Sequence, residues 1–336
     1  MADLRTKYLG LQLKNPVIAG ASNLSSDLDK LKQLEEAGAS AVVYKSLFEE
    51  QIHLERYQME EELTEFDERH PEMIKTHPDI EHAGPEAHLH ELRKAKEALD
   101  IPVIASLNAV YKETWVEYAQ KLEETGVDAL ELNFYSIPKS FEKEAADIEQ
   151  EQLNLLESIK NAVSIPVSVK LSPSYSNPLN VIRKMDQKKV NGFVLFNRFF
   201  EPDIDINQED HNFPFNLSRK GDHKMPLRYA GLLYDNIDGD VCSSTGIFDG
   251  ADVIKMILAG ADCVQTVSSL YINKIGHMTR MLDDIEKWMD KKGYTSLDEF
   301  RGKLSRARLS DPFVYKRAQY VDILMNPEEI IKQYKF

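Results

Sequence analysis

The sequence predicts an α/β protein, a parallel (β/α)8 barrel of the TIM type, with an N-terminal β-hairpin, an insertion after the second strand and a C-terminal extension. Three observations lead there. Short runs rich in Val, Ile and Ala alternate with segments of helical period, eight such runs can be counted, and Gly joints recur where a helix hands over to a strand. The runs are Pro16 to Ala21, Ala41 to Ser46, Pro102 to Leu107, Ala129 to Phe134, Pro166 to Leu171, Gly192 to Asn197, Asp240 to Thr245 and Cys263 to Ser268. An open doubly wound sheet carries similar joints, so the count of eight selects the barrel.

Between the first two runs, Leu28, Leu31 and Leu34 recur near helical period, with Ser26 placed to cap the helix and Gly38 to end it. Glu-Ala-Gly-Ala before the second run returns as Glu-Thr-Gly-Val before the fourth and Leu-Ala-Gly-Ala before the eighth. Residues 47–84 stand outside this rhythm as an acidic insertion with Glu60, Glu61 and Glu62 in a row, read as a solvated helix or lid. Its histidines, His53, His70, His77 and His82, have no repeated ligand spacing, and no metal is assigned. Residues 305–336 form a tail that wraps the barrel or serves an oligomer interface. The whole chain, 1–336, reads as a single domain built on the barrel.

Bulk composition narrows the function. With 336 residues and 42% hydrophobic side chains the chain can bury one large core. Its 56 acidic against 41 basic residues, a formal charge of −15, oppose binding to nucleic acid or an anionic membrane. No apolar stretch reaches the roughly 18 residues of a membrane span, and the N-terminus lacks a signal-like apolar region, so a cytoplasmic location is expected. Cys242 and Cys263 sit in apolar runs and read as small core residues, too few for a disulfide framework or an iron–sulfur cluster.

Barrel active sites lie at the C-terminal ends of the strands, and here those ends are polar: Tyr44-Lys45-Ser46, Ser106-Leu107-Asn108, Glu131-Leu132-Asn133, Val169-Lys170 and Phe196-Asn197-Arg198. A lysine closing a buried strand loses hydration unless an anion or a set of acceptors receives it. An ion pair to Glu131 accounts for Lys45 or Lys170 taken singly; the set implies a ligand. Ser243-Ser244-Thr245-Gly246 and Val267-Ser268-Ser269 end the last two runs, where many barrels hold a phosphate, although ordinary turn chemistry explains either alone.

These residues resemble the dihydroorotate dehydrogenase family up to about Leu304. Tyr8-Leu-Gly-Leu-Gln-Leu-Lys-Asn15-Pro16 resembles the family's opening hairpin and first strand, and Gly20-Ala21-Ser22 its Ala-Ser-Gly against the flavin. Lys45-Ser46 is similar to its Lys-Ser, Glu131-Leu-Asn133-Phe-Tyr-Ser136 to its Glu-Leu-Asn segment before the catalytic base, and Ile165-Pro-Val-Ser-Val-Lys170 to its flavin-facing lysine segment. Met289 to Leu304 looks like its last helix and turn. Six such motifs stand in order at the family's spacing.

The resemblance implies FMN as cofactor, a small-molecule substrate such as dihydroorotate or a related cyclic compound, and a homodimer. It implies proton abstraction by a base and hydride transfer to FMN, with the negative charge near flavin N1 stabilised by Lys170. Ser136 takes the place of the base and Lys45 completes the catalytic pair. The flavin contacts it implies are Gly20, Ala21, Ser22, Lys45, Ser46, Ser106, Asn133, Lys170, Thr245, Gly246, Ser268 and Ser269. The substrate contacts are Asn133, Asn197 and Arg198. That base is cysteine in the soluble class and serine in the membrane-associated class; with no amphipathic extension before the hairpin in this sequence, the membrane-associated class is not the one expected.

The chain departs from the family pattern in five places. Ile137-Pro138 follow Ser136 where Pro-Asn is usual, no second substrate asparagine is found within residues 47–90, Thr245-Gly246 replaces Gly-Gly, and Val267 stands where a glycine is usual. Arg198 replaces a small hydroxyl residue and can pair with a carboxylate or phosphate, or with Asp203 or Asp205. Two rivals remain: a flavin-binding barrel without dehydrogenase activity, and a flavin-free barrel lyase using Lys45 or Lys170 as a Schiff base.

Overall fold

Strands with two buried faces read as continuous apolar runs, and in the computed structural model all eight runs form strands of one sheet. The structure describes residues 2–49, 85–109, 111–135, 141–198, 202–212 and 217–325. A hairpin comes first, β1 (Thr6–Tyr8) and β2 (Leu11–Leu13), joined by Leu9 and Gly10 at φ 55° and 80°. Two positive φ values in a two-residue turn match the right-handed strand twist. The non-glycine Leu9 is held there by its N–H, which donates to Asp240 Oδ2 at 2.6 Å.

The barrel strands follow in order: β3 (Val17–Ala19), β4 (Val42–Val43), then, after a short β5 (Leu47–Phe48), β6 (Val103–Asn108), β7 (Ala129–Phe134), β8 (Val167–Leu171) and β9 (Gly192–Leu195). An exposed hairpin, β10 (Asp203–Asp205) and β11 (Asp210–Asn212), precedes β12 (Asp240–Ser244) and β13 (Cys263–Thr266). Every barrel pairing is parallel; β13 pairs with β3, and β4 pairs with both β3 and β6, which closes the cylinder. The second run differs from its expected span of Ala41 to Ser46. Only Val42 pairs with both neighbours, and Val43 with β6 alone, before Lys45 N–H turns to Ser25 O; pairing resumes at Leu47.

Helices α1 (Leu28–Glu36), α2 (Pro85–Ala98), α3 (Lys112–Glu123), α4 (Ala145–Ala162), α5 (Pro178–Gln187), α6 (Lys224–Leu233) and α7 (Gly250–Ala259) cross between the strands. A short α8 (Ser268–Asn273) and a long α9 (His277–Lys292) follow β13. The cap of α1 is Asp27, whose carboxylate accepts the Lys30 N–H, and not Ser26, whose hydroxyl turns back to Asn23 O. The carboxylate is the stronger acceptor and also complements the helix dipole. Gly38, at φ 105°, ends the turn after α1 as expected.

Two apolar layers follow from the strand period of two. Leu31, Leu34, Val103, Leu130, Val169, Phe193, Val253 and their neighbours fill the space between strands and helices. Ile18, Val43, Ile104, Ala129, Val194, Cys242 and Cys263 fill the barrel interior, closed from below by Tyr8, Leu9 and Leu13 of the hairpin. Gly192 admits that plug, because a Cβ there would come within 2.7 Å of Leu9 and 3.2 Å of Asp240 O.

The insertion expected over residues 47–84 falls outside the described residues from position 50 onward, as do its four histidines. Of the tail, residues up to Tyr315 lie against α6: the Tyr315 hydroxyl donates to Leu304 O at 2.8 Å and Arg228 donates to Tyr315 O. A final helix, α10 (Ala318–Met325), leaves Tyr320, Val321, Leu324 and Met325 exposed. Among the described residues no helix is long and apolar enough to cross a membrane.

Candidate active site

Advancing two residues along each strand from the apolar interior layer reaches the next inward position. The layer Ile18, Val43, Ile104, Ala129, Cys242 and Cys263 is succeeded by Gly20, Lys45, Ser106, Glu131, Ser244 and Gln265. On β8 the same step runs from Ser168 to Lys170. Apart from Gly20, and from Phe196, which follows Val194 on β9, the interior thus becomes polar toward the strand C-termini.

Above this layer opens a cleft of about 350 Å³, a size that admits a cofactor-sized ligand. Lys170 enters it from β8 and Lys45 from the segment between β4 and β5. Ser22, Ser218, Ser244, Thr245 and Ser268 contribute hydroxyls, and Ala21, Phe196, Ile247, Val267 and Tyr271 contribute apolar surface. Lys170 is 8% exposed and points inward; its Nζ donates to Gln265 Oε1 at 3.2 Å and lies 3.5 Å from Glu131 Oε1. The ion pair considered from sequence therefore exists for Lys170. Lys45 has no carboxylate within ion-pair distance among the described residues, and its charge is felt by His88. Burial, with that charge second, lowers the His88 imidazole to about 4, and burial raises the Tyr44 phenol to about 12.

The expected contacts divide into those that line the cleft and those that support it. Ala21, Ser22, Lys45, Ser46, Lys170, Asn197, Arg198, Thr245, Gly246 and Ser268 line it. Gly20, Ser106, Asn133 and Ser269 stand behind. Ser106 shares a hydrogen bond with Ser46 at 2.7 Å, Asn133 accepts from Asn197 at 2.7 Å, and Ser269 donates to Phe248 O at 2.9 Å. A Cβ on Gly20 would press Val267 at 2.8 Å and Gln265 Oε1 at 3.3 Å, which explains the glycine. Ser22 is also spent locally, accepting the Leu24 N–H in a reciprocal box with Ser25.

At the loop after β12, Thr245 and Gly246 both have positive φ, 77° and 76°. The Thr245 hydroxyl donates to Phe196 O, the Gly246 N–H donates to Ser218 Oγ at 3.2 Å, and the Ser218 N–H donates to Ser268 Oγ at 2.9 Å. That chain ties three loops into one wall. Arg198 pairs with Asp222 through its Nη1 rather than with Asp203 or Asp205. The reason is local: Asp222 also accepts the Arg219 N–H, so its carboxylate is anchored beside the cleft, whereas Asp203 and Asp205 belong to the exposed hairpin.

Ser136 lies outside the described residues. Sequence reading passed over Ser218, Tyr271 and Gln265 as lining groups; the first two come from loop and helix positions without strand period. Gln265 had a legible signal, a polar side chain at an inward position of the run Cys263-Val-Gln-Thr266. Among the described residues no group of three or more His, Cys, Asp or Glu is placed to hold a metal.

The donor set fits FMN in kind: two ammonium groups and several hydroxyls for an electron-rich ring edge and a phosphate, with apolar walls for a ring face. A family model described as dihydroorotate dehydrogenase matches residues 3–289. Relatives named "Dihydroorotate dehydrogenase B (NAD(+)), catalytic subunit" are 29% identical over 307 residues in Thermoplasma volcanium, covering 90% of this chain and 98% of the relative. Under the same name, a relative in Methanocaldococcus jannaschii is 26% identical over 315 residues (89% and 97%), and one in Thermoplasma acidophilum is 27% identical over 307 (90% and 99%). The closed parallel barrel and a match over most of its length place this chain in the dihydroorotate dehydrogenase family, oxidoreductases acting on a CH–CH bond.

Proposed function

We propose that the chain is an FMN-dependent dehydrogenase that oxidises dihydroorotate or a closely related small cyclic acid. The observation that carries this reading is the inward Lys170 ammonium at the mouth of the barrel, one strand away from the Asn133–Asn197 amide pair on either flank. A bound FMN would supply the hydride acceptor. Lys45 and Lys170 would bind the cofactor's electron-rich edge, and Thr245, Gly246 and Ser268 its phosphate end. Asn197 and Arg198 would orient the substrate, the guanidinium matching a ring carboxylate.

Oxidation of the CH–CH bond also releases a proton, and Ser136, three residues beyond Asn133, is the proposed acceptor. A hydroxyl is a weak acid, so it needs a relay through water or a neighbouring group. The names of the relatives support NAD+ as the final acceptor, reached through a second subunit. Purified protein should show flavin absorption bands that bleach on anaerobic addition of dihydroorotate. Ser136→Ala should retain the bands and slow the bleaching; colourless protein, or bands that no dihydropyrimidine bleaches, refutes the reading.

A further inference from the structure

Beneath the cleft, β7, β8 and β13 bring together Glu131, Lys170 and Gln265, and the substrate reading uses only the lysine. Glu131 and Gln265 are each about 1% exposed. The Gln265 amide spans the two charges: its Nε2 donates to Glu131 Oε2 at 2.5 Å, and its Oε1 accepts from Lys170 Nζ at 3.2 Å. Only this amide orientation satisfies both neighbours, since the reverse would set NH2 against an ammonium and oxygen against a carboxylate. Lys170 Nζ stays 3.5 Å from Glu131 Oε1, longer than the 2.7 to 2.9 Å typical of a tight charge-assisted bond. Glu131 Oε1 has no hydrogen-bond donor among the described residues. Gly20 leaves the space that Gln265 occupies.

We infer that Gln265 and Glu131 are positioning residues for Lys170. Gln265 holds the ammonium off the carboxylate and toward the cleft, and Glu131 sets how much of its positive charge the cleft feels. An ammonium has three donors; with one engaged by Gln265, donor capacity remains for an acceptor in the cleft that Lys170 lines. The inference rests on the FMN reading for the identity of that acceptor, but the geometry of the three side chains stands apart from it.

The two residues make opposite predictions, which a merely structural role does not. Sulfite adds to a bound flavin as an anion, so its dissociation constant reads the positive charge beside the ring. Glu131→Gln removes the compensating charge and should tighten sulfite binding about tenfold, whereas Gln265→Met lets Nζ collapse onto Glu131 and should weaken it by about the same factor. Shifts of the same sign, or none, overturn the inference. In flavin-free protein a double-mutant cycle of Gln265→Met with Lys170→Met, read by thermal unfolding, should be non-additive; additivity also overturns it. Wild-type protein that takes up no FMN refutes the cofactor reading alone, and the flavin-free cycle then decides the positioning claim.

Discussion

Asn197 donates its side-chain N–H to the side-chain oxygen of Asn133 at 2.7 Å, reaching from the end of β9 across β8 to β7. A third asparagine joins them, as Asn108 at the end of β6 donates to the Asn133 backbone carbonyl at 3.0 Å. Three barrel strands thus end in amides that brace each other.

Because Asn133 and Asn197 share one hydrogen bond, their substitutions should couple. Either Asn→Ala change is expected to raise the KM for dihydroorotate by up to about tenfold, the worth of one good hydrogen bond. The double variant should be less damaging than the product of the two effects. Steady-state KM values of the three variants are the check, and a strictly multiplicative result would separate the two residues.

Lys170→Met should be the most destabilising of the cleft variants. It strands the Glu131 carboxylate in a buried site, where losing one partner of an ion pair costs about 3 to 5 kcal/mol. Adding Glu131→Gln should restore part of the loss. Denaturant titration of the single and double variants measures both, and equal stability of the two would contradict the buried-pair account.

Arg198 is tied to Asp222 at the lip of the cleft, with both side chains partly exposed, so Arg198→Ala should cost at most about 1 kcal/mol of stability. Its effect should fall on substrate choice. Binding of dihydroorotate is expected to weaken about tenfold or more, while binding of the uncharged carboxamide analogue changes little. Equal losses for acid and amide would remove the carboxylate role.

His88 gives the stability a defined pH response. Its folded value, lowered to about 4 from 6.5, means that the unfolded chain binds more protons between those limits. Stability from this group is complete above about pH 6.5 and is lost as pH falls toward about 4, by roughly 3 kcal/mol at most. Asp262 works the other way, its carboxyl raised to about 6 by burial despite Arg301. The difference between wild type and His88→Phe isolates the histidine: melting temperatures measured from pH 7 to 4 should fall less steeply in the variant, and parallel curves would dismiss it.

Gly246→Ala should disable the wall between β12 and β13. Its φ of 76° suits glycine, and an added Cβ would collide with the backbone of Asp222 and His223. Lower thermal stability and loss of retained flavin are expected together; normal flavin content would show the loop to be more yielding than its contacts imply.

The amino-acid sequence alone determined the eight parallel strands, their order and the polar character of their C-terminal ends, because strand and helix periods and glycine joints are local properties. It also singled out Lys45, Lys170, Asn133, Asn197 and Arg198, since a charged or amide group at the end of an apolar run is visible without coordinates. Only the tertiary structure decided which partners these groups take. Asp222 lies 24 positions from Arg198 and Gln265 lies 95 from Lys170. Barrel closure brings β13 opposite β7 and β8, and no local pattern encodes that proximity. The same closure sends Asn133 and Ser106 behind the cleft wall while Lys170 enters it. Inward placement follows from period two, whereas the direction of a side chain within the interior follows from the charges and amides it meets there.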